Sequence, residues 1–317
     1  MPDAIWGFRL AYRPPYQVEA MLQFLADRAI ADIESVDLPR LQISRSLAGP
    51  LAPGWVQVRF DPGQARLEVL CSASLASQQA QLSGLLSGWL DLQAEPSRIS
   101  QALGGLALPF PGLRLPGCVD RFELAVRAVL GQQITVAAAR TLAGRFVQAF
   151  GPRLEGELPP GLERPLRLFP SPQRIADLQP GQIAELGIIR RRADCLLALA
   201  RAWPHLRYAR QSLDGLAAAE QAAHIEAAMA ELRAIPGIGP WTAHYMLMRG
   251  WSWPDAFPPS DVVLLKQLSL GLDKPLSPKA YLAAAEAFRP FRSYAVLSLW
   301  RAASLAQAKA RIGSPID

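Results

Sequence analysis

Apolar positions change their period along the chain, and the changes mark out its elements. Between residues 16 and 33 they recur at helical steps (Val18, Met21, Leu22, Leu25, Ala29), which predicts one amphipathic helix. Trp55-Val56-Gln57-Val58-Arg59-Phe60 and Arg66-Leu67-Glu68-Val69-Leu70 instead alternate at a step of two. They read as two half-buried strands, with Asp61-Pro62-Gly63-Gln64 as the hairpin connection. Helical spacing returns over residues 75–90. From Asp120 it holds almost to the end. A capping box of Asp120 with Glu123 opens a helix over 121–130, and the turn Gly131-Gln132-Gln133 leads into another over 134–150. Further helices are expected over 183–186, 191–202, 218–233, 241–249, 262–268, 278–288 and 293–310. The Pro/Gly-rich stretch 151–172 reads as a surface loop or insertion, and no internal repeat is visible. The expected class is α+β: a small antiparallel-sheet N-terminal domain with helices, residues 1–112, followed by an all-α region, residues 113–317.

With 317 residues, half of them hydrophobic and 19 % charged, the chain can bury a sizeable core. No apolar run reaches the roughly 18–20 residues that cross a bilayer. The start, Met1-Pro2-Asp3-Ala4-Ile5-Trp6, lacks the basic and apolar regions of a secretory leader, so a cytoplasmic protein is expected; nothing indicates an oligomer, so a monomer is the default. Cys71, Cys118 and Cys195 have neither zinc, redox nor cluster spacing, and His205, His224 and His244 lack ligand spacing. That disfavours a metal enzyme, leaving open a carboxylate site assembled by the fold. A formal charge of +6 suits a polyanionic partner. Of 33 basic residues only Lys266, Lys274, Lys279 and Lys309 are lysines, so amine nucleophiles are scarce and confined to the C-terminal part.

The most informative segment is Leu232-Arg233-Ala234-Ile235-Pro236-Gly237-Ile238-Gly239-Pro240-Trp241-Thr242-Ala243. One helix ends, a Pro-Gly-x-Gly turn follows, and a second helix begins with Thr242 in its first turn. Two glycines let backbone N–H groups face outward beside a helix N-terminus, which makes an anion site suited to a phosphate. Such a contact reads the backbone of DNA and carries no sequence information. Glycines that only turn a corner account for the same residues. Further on, Trp253-Pro254-Asp255-Ala256-Phe257-Pro258-Pro259-Ser260-Asp261-Val262 delivers Asp261 to the start of an apolar helix through a proline-stiffened loop. A plain N-cap by Asp261 or Ser260 is the simpler account of that placement. Trp241 and Tyr245 stand at i and i+4, hence on one helix face, where core packing and a pocket wall are both open to them.

Hairpin, Pro-rich loop and Asp in this order resemble the helix-hairpin-helix–Gly/Pro–Asp superfamily of base-excision glycosylases. Over most of the chain the resemblance is to the AlkA type, the DNA-3-methyladenine glycosylases II. It is carried by Pro14-Pro15-Tyr16, by Met21-Leu22-Gln23-Phe24-Leu25-Ala26-Asp27-Arg28-Ala29 and by Pro111-Gly112-Leu113-Arg114-Leu115-Pro116-Gly117-Cys118-Val119-Asp120. Arg127-Ala128-Val129-Leu130-Gly131-Gln132-Gln133, Trp241-Thr242-Ala243-His244-Tyr245, Leu247-Met248-Arg249-Gly250-Trp251 and Arg292-Ser293-Tyr294-Ala295 extend it.

The resemblance implies two helical subdomains around a cleft, with Asp261 as the catalytic carboxylate. Trp241, Tyr245 and Trp300 would line a pocket for a base flipped out of double-stranded DNA, and stacking on a cationic alkylated base favours a wide substrate range. Gly237, Ile238, Gly239 and Thr242 would hold the DNA backbone, and Gln133 would fill the gap left by the flipped nucleotide. The best-known member has a leucine there, so a glutamine is a departure. No cofactor for catalysis is implied, only a structural Na+ or K+ at the hairpin, on the main-chain carbonyls of Arg233, Ile235 and Gly237. Bifunctional relatives carry a Schiff-base lysine two residues after the last hairpin glycine; here that residue is Trp241, so no strand-cleaving step is expected. A glycosylase for oxidised purines and a non-catalytic hairpin DNA-binding protein are the competing readings.

Overall fold

The computed structural model describes residues 5–156, 158–162 and 166–312. The first four residues, four residues of the expected loop and the last five of the expected helical region lie outside them. Five strands form one antiparallel sheet: β1 (Trp6–Ala11), β2 (Glu34–Asp37), β3 (Gln42–Leu47), β4 (Gly54–Asp61) and β5 (Arg66–Cys71), in the order β1-β5-β4-β3-β2. The expected hairpin is part of its centre, with Val58 opposite Val69 and Phe60 opposite Leu67. Val56, Val58 and Phe60 of β4 and Leu67, Val69 and Cys71 of β5 are buried by their two-residue alternation. They share a core with Met21, Leu22 and Leu25 of α1 (Val18–Ala26) and with Leu82, Leu86 and Trp89 of α2 (Gln79–Trp89).

Helix α1 is shorter than the expected 16–33. The chain turns after it, and Ile30 and Ile33 join a different core. The other three strands escaped the pattern for physical reasons. Edge strand β1 is largely exposed or half-buried, β2 has four residues, and β3 buries Ser44, Arg45 and Ser46 where apolar residues would normally show the period. The second face of the sheet is partly covered, over β3 and β4. Ser46 Oγ donates to the Arg167 carbonyl (2.6 Å) and Gln57 Nε2 to that of Pro160 (2.9 Å). The stretch expected as a surface loop therefore packs across the sheet, with Leu166 and Phe169 buried.

The helical region follows α3 (Pro96–Leu103). Helices α4 (Arg121–Leu130), α5 (Val136–Phe150), α6 (Pro172–Ala176), α7 (Pro180–Ala184), α8 (Arg190–Ala202), α9 (Arg207–Arg210) and α10 (Ala218–Ala234) build one core. Helices α12 (Val262–Leu268), α13 (Pro278–Glu286) and α14 (Arg292–Ile312) build another, together with Ile99 and Leu103 of α3. Helix α11 (Pro240–Gly250) serves both, giving Ala243, Met246 and Leu247 to the first and Met248 to the second. A cleft runs between them.

The expected capping box is half formed. Asp120 Oδ1 accepts the N–H groups of Phe122 (2.7 Å) and Glu123 (3.3 Å). Glu123 does not reach back. Its carboxylate instead meets Arg45 (2.7 Å) and Arg127 (2.6 Å), and Glu34 completes this buried group, joining β2 and β3 to α4. Burial opposes ionisation of Glu123, but the two guanidiniums outweigh it and its pKa is lowered.

Asp91 is a half-buried carboxylate whose nearest guanidinium, Arg114, bonds its main-chain carbonyl (3.3 Å) rather than its side chain. Its Oδ2 accepts from Leu115 N (2.8 Å) and from the Tyr294 hydroxyl (3.0 Å), tying the N-terminal part to α14. Burial pushes its pKa up to about 6 from 3.8. The folded state thus holds this proton more tightly than the unfolded chain, so the contribution is most favourable below about pH 4 and declines as pH rises through 6. Asp91→Asn keeps the accepting oxygen and tolerates the left-handed φ of +54° at this position. Relative to wild type, the variant is expected to gain up to about 3 kcal/mol between pH 4 and pH 7, read from urea unfolding at each pH. A constant difference across that range refutes the assignment.

Candidate active site

Helix α11 begins at the hairpin turn, and its first two turns project Trp241 and Tyr245 into the cleft. The two rings stack with centroids 5.3 Å apart and planes 11° apart. Trp300, from α14, lies at 6.4 Å from Tyr245 with a tilt of 46°. The cleft measures about 940 Å³ and is lined by all three rings together with Asp261 and Gln133. That is within the size range of small-molecule sites.

Asp261 is both a cap and a cleft residue. Its Oδ1 accepts from Leu264 N (2.8 Å) and so caps α12, while its Oδ2 accepts from Trp241 Nε1 (2.8 Å). Two fixed donors from different elements leave the carboxylate one orientation, with 7 % of the residue exposed. Ser260, just before it, is held at φ +61°. The Pro-rich loop that carries both is clamped by the start of α14. Arg292 Nε and Nη2 grip the two oxygens of Asp255 (2.8 and 2.9 Å), and Ser293 Oγ donates to the Trp253 carbonyl (2.7 Å) and accepts from Ala256 N (3.0 Å). Tyr281 of α13 holds the Pro258 carbonyl (3.0 Å).

At the deep end, Arg249 Nη1 donates to the Tyr245 hydroxyl (2.8 Å), and Arg28 also lines the cleft. Burial raises the pKa of that phenol, but the guanidiniums of Arg249 and Arg28 overcome it, and the net shift is downward. None of the four lysines lines the cleft.

At the hairpin, α10 ends at Ala234 and α11 starts at Pro240, the turn that the sequence pattern predicts. Gly237 sits at φ +95°, and a Cβ there would come within 3.0 Å of Cys195, so only glycine fits. Gly239 N-caps α11 without a side chain, and the space beside its Cα is open. Among the described residues, the amides of Gly237, Gly239, Trp241 and Thr242 have no backbone acceptor. Ile238 differs from the expectation: its amide donates to the Ile235 carbonyl (3.0 Å) and its side chain is buried, so it shapes the turn. The carbonyls of Arg233, Ile235 and Gly237 suit a monovalent cation. Pro236 has no N–H to offer Arg233, and Ile235 and Gly237 each accept one hydrogen bond and keep a second lone pair. Gln133 is exposed at the cleft, at φ +57°.

Sequence reasoning singled out neither Arg28 nor Arg249 as site residues, and it read Gln132 only as part of a turn. Gln132 bonds residues more than a hundred positions away, and Arg249 joins its i−4 neighbour Tyr245 to the carbonyls of Pro116 and Gly117, which no local pattern announces. Along the run Arg190-Arg191-Arg192 at the start of α8, Arg190 is exposed and Arg192 is buried, its Nη2 donating to the Gln132 carbonyl.

Residues 7–120 match the AlkA N-terminal domain, and residues 126–271 match the HhH-GPD superfamily base excision DNA repair proteins. DNA-3-methyladenine glycosylase 2 of Escherichia coli K12 is 39 % identical over 293 residues, covering 92 % of this chain and 96 % of that one. The DNA-3-methyladenine glycosylase of Bacillus subtilis 168 is 31 % identical over 221 residues, covering 67 % and 69 %. In fold, the solved 3-methyladenine DNA-glycosylase from Archaeoglobus fulgidus superposes with a TM-score of 0.73 at 20 % identity, covering 92 % and 96 %. The chain belongs to the HhH-GPD superfamily of base-excision DNA repair proteins, in its AlkA-type branch, and is an alkylbase DNA glycosylase.

Proposed function

We propose that the enzyme is monofunctional: it hydrolyses the N-glycosidic bond of 3-methyladenine- and 7-methylguanine-type bases flipped from duplex DNA, with Asp261 as the catalytic carboxylate. One observation carries this reading. The Asp261 carboxylate borders the same cleft as the stacked Trp241–Tyr245 pair and is hydrogen-bonded to one of its rings. An N3- or N7-alkylated purine is cationic and leaves without a strong general acid. The sugar left behind is oxocarbenium-like, and a fixed anion beside it lowers the barrier. Trp241, Tyr245 and Trp300 offer electron-rich faces to the cationic base, a preference worth roughly 0.5–2 kcal/mol, so recognition is broad. The free amides of the hairpin grip a phosphate, Gln133 fills the gap in the duplex, and the carbonyls of Arg233, Ile235 and Gly237 hold Na+ or K+. The protein acts as a monomer, and in the cytoplasm, a location that its three free cysteines support.

A strand-cleaving step needs an amine at the sugar. Trp241 occupies the lysine position of bifunctional relatives, and Lys266, next nearest in sequence, is exposed and off the cleft. Duplexes carrying 3-methyladenine, 7-methylguanine, hypoxanthine or 8-oxoguanine separate the readings. Release of the two methylated bases, with no protein–DNA adduct after borohydride, is expected. Release of 8-oxoguanine alone, or a trapped adduct, overturns the proposal; no release from any duplex leaves a binding protein.

A further inference from the structure

The turn between α4 and α5 and the hairpin between α10 and α11 are separated by about a hundred residues, yet one side chain joins them. Gln132 Nε2 donates to the Gly237 carbonyl (2.9 Å) and to Thr242 Oγ1 (3.1 Å). Both hydrogens of one planar amide are thereby spent on the two ends of the hairpin turn. The Gln132 main-chain carbonyl is held in turn by Arg192 Nη2 from α8, a residue only 9 % exposed. Cys195, one turn further along α8, lies against Gly237, so the hairpin cannot settle toward that helix. Three elements converge on Gln132, and the next residue is Gln133, in a left-handed conformation that a non-glycine residue adopts only under restraint.

We propose that Gln132 is a positioning residue: it locks the gap-filling turn to the phosphate-gripping hairpin, so that Gln133 enters the duplex in register with the strand the hairpin holds. The inference rests on the reading of Gln133 as gap filler and of the hairpin as backbone grip. It adds that the two work as one unit. An amide is suited to this role because it supplies two donors in one plane, whereas a hydroxyl supplies one and a carboxylate none. The Gly237 carbonyl that receives it is also one of the three carbonyls assigned to the cation, so the same bond orients that ligand.

The test is a double-mutant cycle on a duplex with a 7-methylguanine and a neighbouring 2-aminopurine, whose fluorescence rises when the stack opens. Gln132→Met keeps the side chain's length and removes both donors. Two lost hydrogen bonds predict single-turnover base release slower by roughly 10- to 100-fold, with a weaker 2-aminopurine signal. Gln133→Ala slows wild type, yet in the Gln132→Met background it is expected to change the rate by less than about twofold, because the two residues act as a unit. Gln132→Glu, of the same shape but without donors, reproduces the loss and stands in if the methionine variant melts early. Independent, multiplicative effects of the two substitutions overturn the coupling while leaving the gap-filling role of Gln133 intact. If Gln133→Ala changes neither rate nor fluorescence, the gap-filling reading itself falls, and the coupling with it.

Discussion

Asp261→Asn is expected to slow base release on the order of 10³-fold, the usual loss when a group aimed at developing charge is removed. Affinity for a duplex with an abasic analogue is expected to stay within about threefold, because phosphate contacts dominate binding. The geometry makes asparagine the discriminating substitution. Asparagine ranks with aspartate as an N-cap, so α12 keeps its start. One of the two donors, Leu264 N or Trp241 Nε1, must then face an NH2 group, a mismatch of about 1–3 kcal/mol. The variant thus stays folded, with somewhat lower stability, while the negative charge is gone. A purely capping Asp261 predicts the opposite pattern: nearly unchanged rate in Asp261→Asn and a stability loss in Asp261→Ala. Single-turnover assays at saturating enzyme, beside a melt of each variant, separate the two. A rate for Asp261→Asn within tenfold of wild type removes the carboxylate from the mechanism.

Capping α12 and facing the cleft do not compete at Asp261. The residue caps α12 with one oxygen and meets Trp241 at the cleft with the other, so the cap is what aims it. What could be read from sequence was local. Pro236-Gly237-Ile238-Gly239 fixes a turn by backbone preference alone, and the helices around it follow from apolar spacing. What could not be read was long-range and polar. Arg45 lies 78 residues from Glu123, and their pairing hides a strand on one side and undoes a capping box on the other. Gln132 reaches 105 and 110 residues to the hairpin. Buried charges and amides choose partners by the tertiary fold, and the period of the surrounding chain carries no trace of that choice. The stretch 151–172 is the loop that proline and glycine signal, with several exposed residues, but they do not tell that its carbonyls will be bound by Ser46 and Gln57 of the sheet.

Arg249→Met is expected to cost about 3 kcal/mol of stability and to slow base release as well. Arg249 is buried on α11, and its guanidinium is shared among three acceptors: the carbonyls of Pro116 (2.7 Å) and Gly117 (2.8 Å) and the Tyr245 hydroxyl (2.8 Å). Gly117 in turn donates to the Trp89 carbonyl (2.8 Å), with a Cβ there meeting the Gly88 carbonyl at 2.3 Å. The arginine therefore ties the pocket helix to the segment that closes the N-terminal domain. Methionine fills much of the volume but leaves two buried carbonyls and the half-buried Tyr245 hydroxyl without their donor, at a cost on the order of 1 kcal/mol or more for each. A fall in melting temperature of roughly 6–12 °C follows for a chain of this size. The phenol of Tyr245 loses its strongest cationic neighbour, so its pKa rises, and the ring loses the bond that sets its height against Trp241. Spectrophotometric titration of the tyrosines reads the first effect and single-turnover excision the second. Arg249→Lys restores a charge but only a single nitrogen in place of the fork, and is expected to recover the pKa more fully than the stability. If the methionine variant melts with wild type, the three bonds do not hold the domains together. If it melts early but excises at the wild-type rate, Tyr245 keeps its place without Arg249, and the arginine serves the fold alone.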